Sequence, residues 1–115
     1  MIVSHESKLE YTKINNELTK GASIKALISP KEGWDGHVMR VLELEVGGHS
    51  PRHEHPWPHI NYILEGQGIV FLDGEEIEVK SGSYAYIPSG KMHQFINTGT
   101  STFKFICIVP EEGHK

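Results

Sequence analysis

The chain has 115 residues, enough for one compact domain and too few for a multidomain enzyme with a separate cofactor-binding module. Hydrophobic residues at 37%, charged residues at 23%, 12 glycines and 6 prolines describe a turn-rich globular chain of many short elements and exclude a disordered or fibrous one. Lys and Arg total 11 against 15 Asp and Glu, and a net charge of -4 leaves no basic surplus for phosphates or an anionic membrane, which argues against nucleic acid or a membrane as partner.

The first eight residues carry no basic segment followed by an apolar one, and no apolar run approaches the length of a spanning helix, so a cytoplasmic protein is expected. Cys107 is the only cysteine, which removes an intrachain disulfide and a thiolate metal cage. Histidine is the unusual entry. Four of the eight (His49, His53, His55, His59) fall within eleven residues.

Residues 1–22 read as a loosely patterned arm, able to add an edge strand or to pair with a second subunit, and residues 23–115 as the main domain. Residues 24–28 form a short apolar run closed by Ser29, Pro30 and Gly33. In residues 38–46, Leu42, Leu44 and Val46 alternate with Glu43 and Glu45, a strand with one face inward. After Gly47-Gly48 come the histidine-rich segment and a strand at 60–64. The run 69–72 meets Asp73-Gly74, a two-residue hairpin signal, and returns as 76–80 with Ile77 and Val79 on one face. Strands follow at 84–87, 93–96 and 102–109, the last with Phe103, Phe105, Cys107 and Val109 on one parity. Phe71, Ile77, Val79, Tyr84, Tyr86, Phe95 and Phe105 are expected in the core and pocket wall. Eight or more short strands without a 3.6-residue period predict an all-β small barrel or two-sheet sandwich.

His53 and His55, two apart in an extended segment, point to one side and can reach one metal ion. His59 can join from the next strand, and His93 from a strand that a barrel folds alongside. A lone histidine is ordinarily a surface or satisfied core residue. Several buried together repel when protonated and leave ring nitrogens unsatisfied when neutral, so a shared cation is the cheaper arrangement.

These residues carry a family resemblance. Gly47-x5-His53-x-His55-x3-His59-x6-Gly66 resembles the first cupin motif, and Gly82-x5-Pro88-x-Gly90-x2-His93-x3-Asn97 resembles the second, with fifteen residues between Gly66 and Gly82. The resemblance spans residues 38–109. It implies a single-domain double-stranded β-helix (a jelly-roll cupin barrel), usually a homodimer, with one divalent metal per chain. Most cupins place a glutamate as third ligand; here His59 stands, with Ile60 beside it, which resembles the four-histidine cupins and implies His53, His55, His59 and His93 as ligands. Manganese or iron is favoured by the resemblance, whereas imidazole chemistry alone admits Ni, Co, Cu and Zn as well.

Four neutral ligands raise the charge of the metal centre relative to a carboxylate-bearing set, make it a stronger Lewis acid and leave two positions open. Occupancy is expected to fall as pH drops through about 6.5 or somewhat below. Arg40 shares parity with Leu42 and Leu44, so its guanidinium either holds a carboxylate inside the barrel or reaches water or an internal Glu. Trp57 lies between Pro56 and Pro58 at the expected pocket rim, and Phe105 and Cys107 have cavity parity; with Arg40 these form the candidate substrate-binding set. His49, His5, His37 and His114 are assigned to the surface. The leading function is oxidation of a small organic substrate by a dioxygenase-type reaction. A non-redox isomerase or lyase is the alternative, and a non-catalytic metal- or ligand-binding cupin the third reading.

Overall fold

The computed structural model describes residues 1–114; Lys115, the last residue of the expected domain, lies outside them. The chain is all-β, as expected. Its strands are β1 (Thr12–Lys13), β2 (Lys20–Ile28), β3 (His37–His49), β4 (His59–Glu65), β5 (Gln67–Leu72), β6 (Glu75–Lys80), β7 (Tyr84–Ile87), β8 (His93–Asn97) and β9 (Phe103–Pro110), with short 3-10 turns at Glu6–Lys8, Pro30–Glu32 and Glu111–His114. The strands follow one another in the order β6-β5-β8-β3-β9-β4-β7, β2 lies on β3 and β1 on β2, and the sheet wraps into a nearly closed jelly-roll barrel. Among the described residues no helix is long and apolar enough to cross a membrane.

β3 ties the two walls together. Its first eight residues pair with β9, from His37 opposite Pro110 to Leu44 opposite Phe103, while its last residue, His49, pairs with Ile96 of β8. The change of partner occurs at Gly47-Gly48, where Gly47 has φ 78 and a Cβ on Gly48 would stand 2.7 Å from the Lys20 carbonyl oxygen. Only glycine allows so close a backbone approach. On β2, Ala22 faces Leu44 and Lys20 faces His49, so residues 45–48 stand against Gly21 alone. This bulge interrupts the alternation. Val46, expected inward with Leu42 and Leu44, is therefore 60% exposed.

The β5–β6 turn is the one the sequence announces. Asp73 (φ 50) and Gly74 (φ 91) are both left-handed, the type I′ geometry that matches the twist of the flanking strands. β9 supplies the spine of the core: Phe103, Phe105, Cys107 and Val109 are all buried, and Leu44, Ile63, Val70, Ile87 and Phe95 pack around the two phenylalanines. Phe95 and Phe105 stack with ring centroids 4.4 Å apart.

Three residues expected in the core face out instead. β7 pairs with β4 so that Tyr86 lies opposite Ile60 and Tyr84 opposite Tyr62, and directly opposed residues share a face. That register turns Ala85 and Ile87 inward and leaves Tyr84 81% and Tyr86 61% exposed. Ile77 is exposed because β6 ends the sheet order and, among the described residues, pairs with β5 alone. Phe71 is half-buried, its ring covered by the Arg52 guanidinium at 3.9 Å.

The N-terminal arm is clamped to the barrel by charge. Lys25 on β2 is buried, donates to the Glu6 carbonyl at 2.7 Å, pairs with the Glu6 carboxylate at 3.1 Å and lies over the Tyr11 ring. Lys104 of β9 reaches the same carboxylate at 2.8 Å. The hydrogen bond from Lys104 holds the Glu6 carboxyl below its ordinary pKa. Further on, the Ile14 amide donates to the Ala22 carbonyl at 2.9 Å, which carries the arm across to the barrel mouth.

Candidate metal centre

The segment between β3 and β4 is zipped onto β8 and the turn before it, mostly by main-chain bonds. The Ser50 amide donates to the Phe95 carbonyl at 2.9 Å, the Phe95 amide donates to Ser50 Oγ at 2.8 Å, and the Gly90 amide donates to the His55 carbonyl at 2.8 Å. Between them His53 and His93 form an antiparallel bridge, with amide-to-carbonyl bonds of 3.1 and 2.9 Å. Pro51, Pro56 and Pro58 fix φ at three further positions of the same segment. β4 then starts at His59 and turns His59, Asn61 and Ile63 into the barrel.

The side chains of His53, His55 and His93 converge, with their ligand nitrogens all within 4.8 Å of one another. His59 adjoins this group: its Nε2 is 3.1 Å from His93 Nε2. Three of the four rings have their other nitrogen committed. His55 Nδ1 lies 2.8 Å from the Trp57 carbonyl oxygen, His93 Nδ1 lies 2.8 Å from the Lys91 carbonyl oxygen, and His59 Nδ1 lies 2.6 Å from Asn61 Oδ1. Each partner is an acceptor, so each Nδ1 carries the proton and donates. Asn61 is itself held by Nδ2 donating to the Ile106 carbonyl, which directs its Oδ1 at His59.

A consequence follows at Nε2. With Nδ1 protonated, the neutral rings of His59 and His93 bring two lone pairs to 3.1 Å with no proton between them. Protonation is no remedy, because burial pushes the pKa values of His53, His59 and His93 down to about 4 and lowers that of His55. Converging lone pairs on neutral, oriented imidazoles fit a divalent transition metal, and carbonyl or amide partners behind the ligands are the usual support of such a site.

The histidines open on a cavity of about 200 Å³. Arg40, Leu42, Trp57, Phe95, Phe105 and Cys107 line it, with Ile14, Thr19 and Ile24 contributed by the N-terminal segment. Arg40 and Cys107 are opposed in the β3–β9 register, and Arg40 Nη2 donates to Cys107 Sγ at 3.0 Å. Trp57 stacks on the His55 ring at 4.7 Å and 12°.

The model of the cupin domain family matches residues 40–109. The chain belongs to the cupin family. This cupin is 37% identical over 111 residues to an uncharacterized protein of Methanocaldococcus jannaschii, covering 93% of this chain and 88% of that one. Over a shorter stretch it is 26% identical to quercetin 2,3-dioxygenase of Bacillus subtilis, covering 70% of this chain and 24% of the relative. Among solved structures it is similar to the polyketide cyclase RemF of Streptomyces resistomycificus, with TM-score 0.88 and 28% identity, covering 96% of this chain and 79% of that one. It also resembles a predicted oxalate decarboxylase of Thermotoga maritima, with TM-score 0.87 and 25% identity, covering 95% and 98%.

Arg40, Trp57, Phe105 and Cys107 thus line the same cavity as the four histidines. Of the histidines assigned to the surface, His5, His37 and His114 are exposed, whereas His49 is half-buried. Its Nδ1 lies 3.0 Å from the Ser50 carbonyl oxygen and 3.3 Å from Gln94 Nε2, at the β3–β8 junction. Asn61 is a functional residue that the two histidine motifs do not include. Its spacing of two from His59, which puts both on one face of a strand, is the signal that identifies it.

Proposed function

We propose that this cupin holds one divalent transition metal on His53, His55, His59 and His93 and oxidises a small organic substrate with dioxygen. The carrying observation is the donor set: four neutral imidazoles, three with Nδ1 locked as donors, opening on an apolar cavity. When bound, the metal supplies Lewis acidity and electron exchange with substrate and dioxygen. Resemblance favours manganese or iron. The protein's own residues do the rest: Asn61 and the Trp57 and Lys91 carbonyls orient the ligands, while Trp57 and Phe105 exclude water from the substrate's flank.

The non-redox isomerase or lyase reading needs a carboxylate or free base near the metal, and among the described residues no Asp or Glu lines the cavity. The oxidative reading therefore ranks first. The test is elemental analysis of untagged protein beside His59→Ala, followed by dioxygen uptake with a panel of enols and catechols. About one Mn or Fe per chain, reduced in the variant, with substrate-dependent uptake is the expected result. Stoichiometric metal without uptake overturns the oxygenase reading, and protein without metal overturns the site.

We also propose a homodimer. Support comes from the row of exposed apolar side chains on the outer face of β4 and β7 (Ile60, Tyr62, Tyr84 and Tyr86), larger than scattered surface hydrophobics require.

A further inference from the structure

We infer that the cavity selects a small organic anion with an apolar body, whose acidic group is held by Arg40, and that Cys107 positions the guanidinium for this task. The inference rests on the reading that this cavity is the substrate site, but not on the reaction being an oxidation.

Among the described residues Arg40 is the only cationic side chain of permanent charge that lines the cavity, and no carboxylate lines it. The guanidinium is directed by its strand: on β3 it shares the inward face with Val38, Leu42 and Leu44, and its β9 partner in register is Cys107. Nη2 donates to Cys107 Sγ at 3.0 Å, a weak acceptor that fixes the fork without neutralising it. Nε is buried and has no hydrogen-bond partner. A buried, charged donor left unpaired is costly, and an anionic oxygen is the partner that a guanidinium holds best. Arg40 lines the same cavity as His55 and His59, so the field of its guanidinium acts where the imidazoles open. A divalent ion on those imidazoles would add to this field, and an anion would be drawn to both.

The remaining walls set the body of the ligand. Leu42, Phe95, Phe105, Ile14 and Ile24 are apolar, and 200 Å³ lies below the roughly 300–1,000 Å³ of drug-sized sites. A single ring or a branched chain of similar size carrying one carboxylate or enolate meets both conditions. A polyanion would leave charge against the apolar wall, and a neutral hydrocarbon would leave Nε unpaired.

Benzoate and benzamide are the probes, since they match in shape and differ in charge. Isothermal titration of metal-free and metal-loaded protein should give tighter binding of benzoate than of benzamide in both states. Arg40→Gln should weaken benzoate by about 10- to 100-fold and leave benzamide within about twofold. Arg40→Lys, which keeps the charge and loses the fork, should fall between, and serves if the glutamine variant does not fold. Cys107→Ala should raise the benzoate dissociation constant while Cys107→Ser, which keeps an acceptor, restores it. Metal content is measured in every variant, so a failed metal site is told apart from a failed anion site. Equal binding of the two probes, no benzoate binding by the wild-type protein, or benzoate binding that survives Arg40→Gln overturns the inference.

Discussion

His53 and His93 stand forty positions apart in the chain and exchange two backbone hydrogen bonds, at 3.1 and 2.9 Å. The pairing holds the two motifs together through main chain, independent of either imidazole. His53→Ala should therefore fold with an unchanged far-ultraviolet circular dichroism spectrum and bind metal more weakly. Metal titration of the purified variant checks this, and wild-type affinity in His53→Ala counts against a ligand role.

Asn61 orients His59 through the 2.6 Å contact at Nδ1 and is buried at 1% exposure. Asn61→Ala frees the ring and leaves its N–H unpaired, so metal affinity should drop by about 10- to 100-fold, the usual effect of losing an outer-shell partner. Asn61→Asp keeps the acceptor and should retain more affinity than the alanine variant. Equal affinity in all three proteins contradicts the orienting role.

The histidine cluster makes the metal-free protein acid-sensitive. In the unfolded chain these imidazoles titrate near 6.5, whereas burial lowers His53, His59 and His93 to about 4 in the folded one. Between those values the unfolded chain binds more protons, so this part of the stability is complete above 6.5 and is lost as pH falls toward 4. Thermal melts of chelator-treated protein from pH 7.5 to 4.5 should show a falling Tm, steepest below about 6.5. A flat Tm across that range contradicts the buried neutral cluster.

Phe103 is fully buried at the start of β9, 5.5 Å from the Phe105 ring. Truncation to alanine removes the aromatic and leaves a cavity in the barrel floor, with an expected cost of about 3–5 kcal/mol. Urea unfolding measures it. A loss below about 1 kcal/mol would mean that the floor collapses around the gap.

The proposed dimer face gives a mutational test. Sedimentation velocity of the wild-type protein should give a dimer, and Tyr86→Lys combined with Ile60→Glu should give a folded monomer, since charge placed in an apolar contact loses its hydration on association. A wild-type monomer at all concentrations overturns the proposal, as does a dimer that persists in the double variant.

Much of the barrel is legible in the chain because two-residue periodicity and turn chemistry are local. Phe103, Phe105, Cys107 and Val109 alternate without interruption, and all four are buried. Asp73-Gly74 forms the turn that its residues prefer. Where periodicity is broken by backbone or reversed by pairing, the chain misleads. Val46 obeys the alternation of Leu42 and Leu44 in sequence and is expelled by the bulge at Gly47-Gly48. Tyr84 and Tyr86 look like core, since aromatic alternation does not say which of two faces is inward; the register with β4 decides that.

The histidine pattern has the same division. Residue type and spacing nominate His53, His55, His59 and His93, because a metal site needs particular donors at particular intervals along extended chain, and the resemblance of the two motifs to those of cupins implies the barrel that carries them. Which ring nitrogen faces the cavity was decided by tertiary structure, through the Trp57 and Lys91 carbonyls and the Asn61 amide. The meeting of Arg40 with Cys107 across the β3–β9 register was decided there as well, and with it an unpaired guanidinium nitrogen in a cavity that no carboxylate among the described residues lines. Donor identity is a property of residues; lone-pair direction and unmet hydrogen bonds are properties of neighbours, and neighbours far apart in sequence are supplied by strand pairing alone.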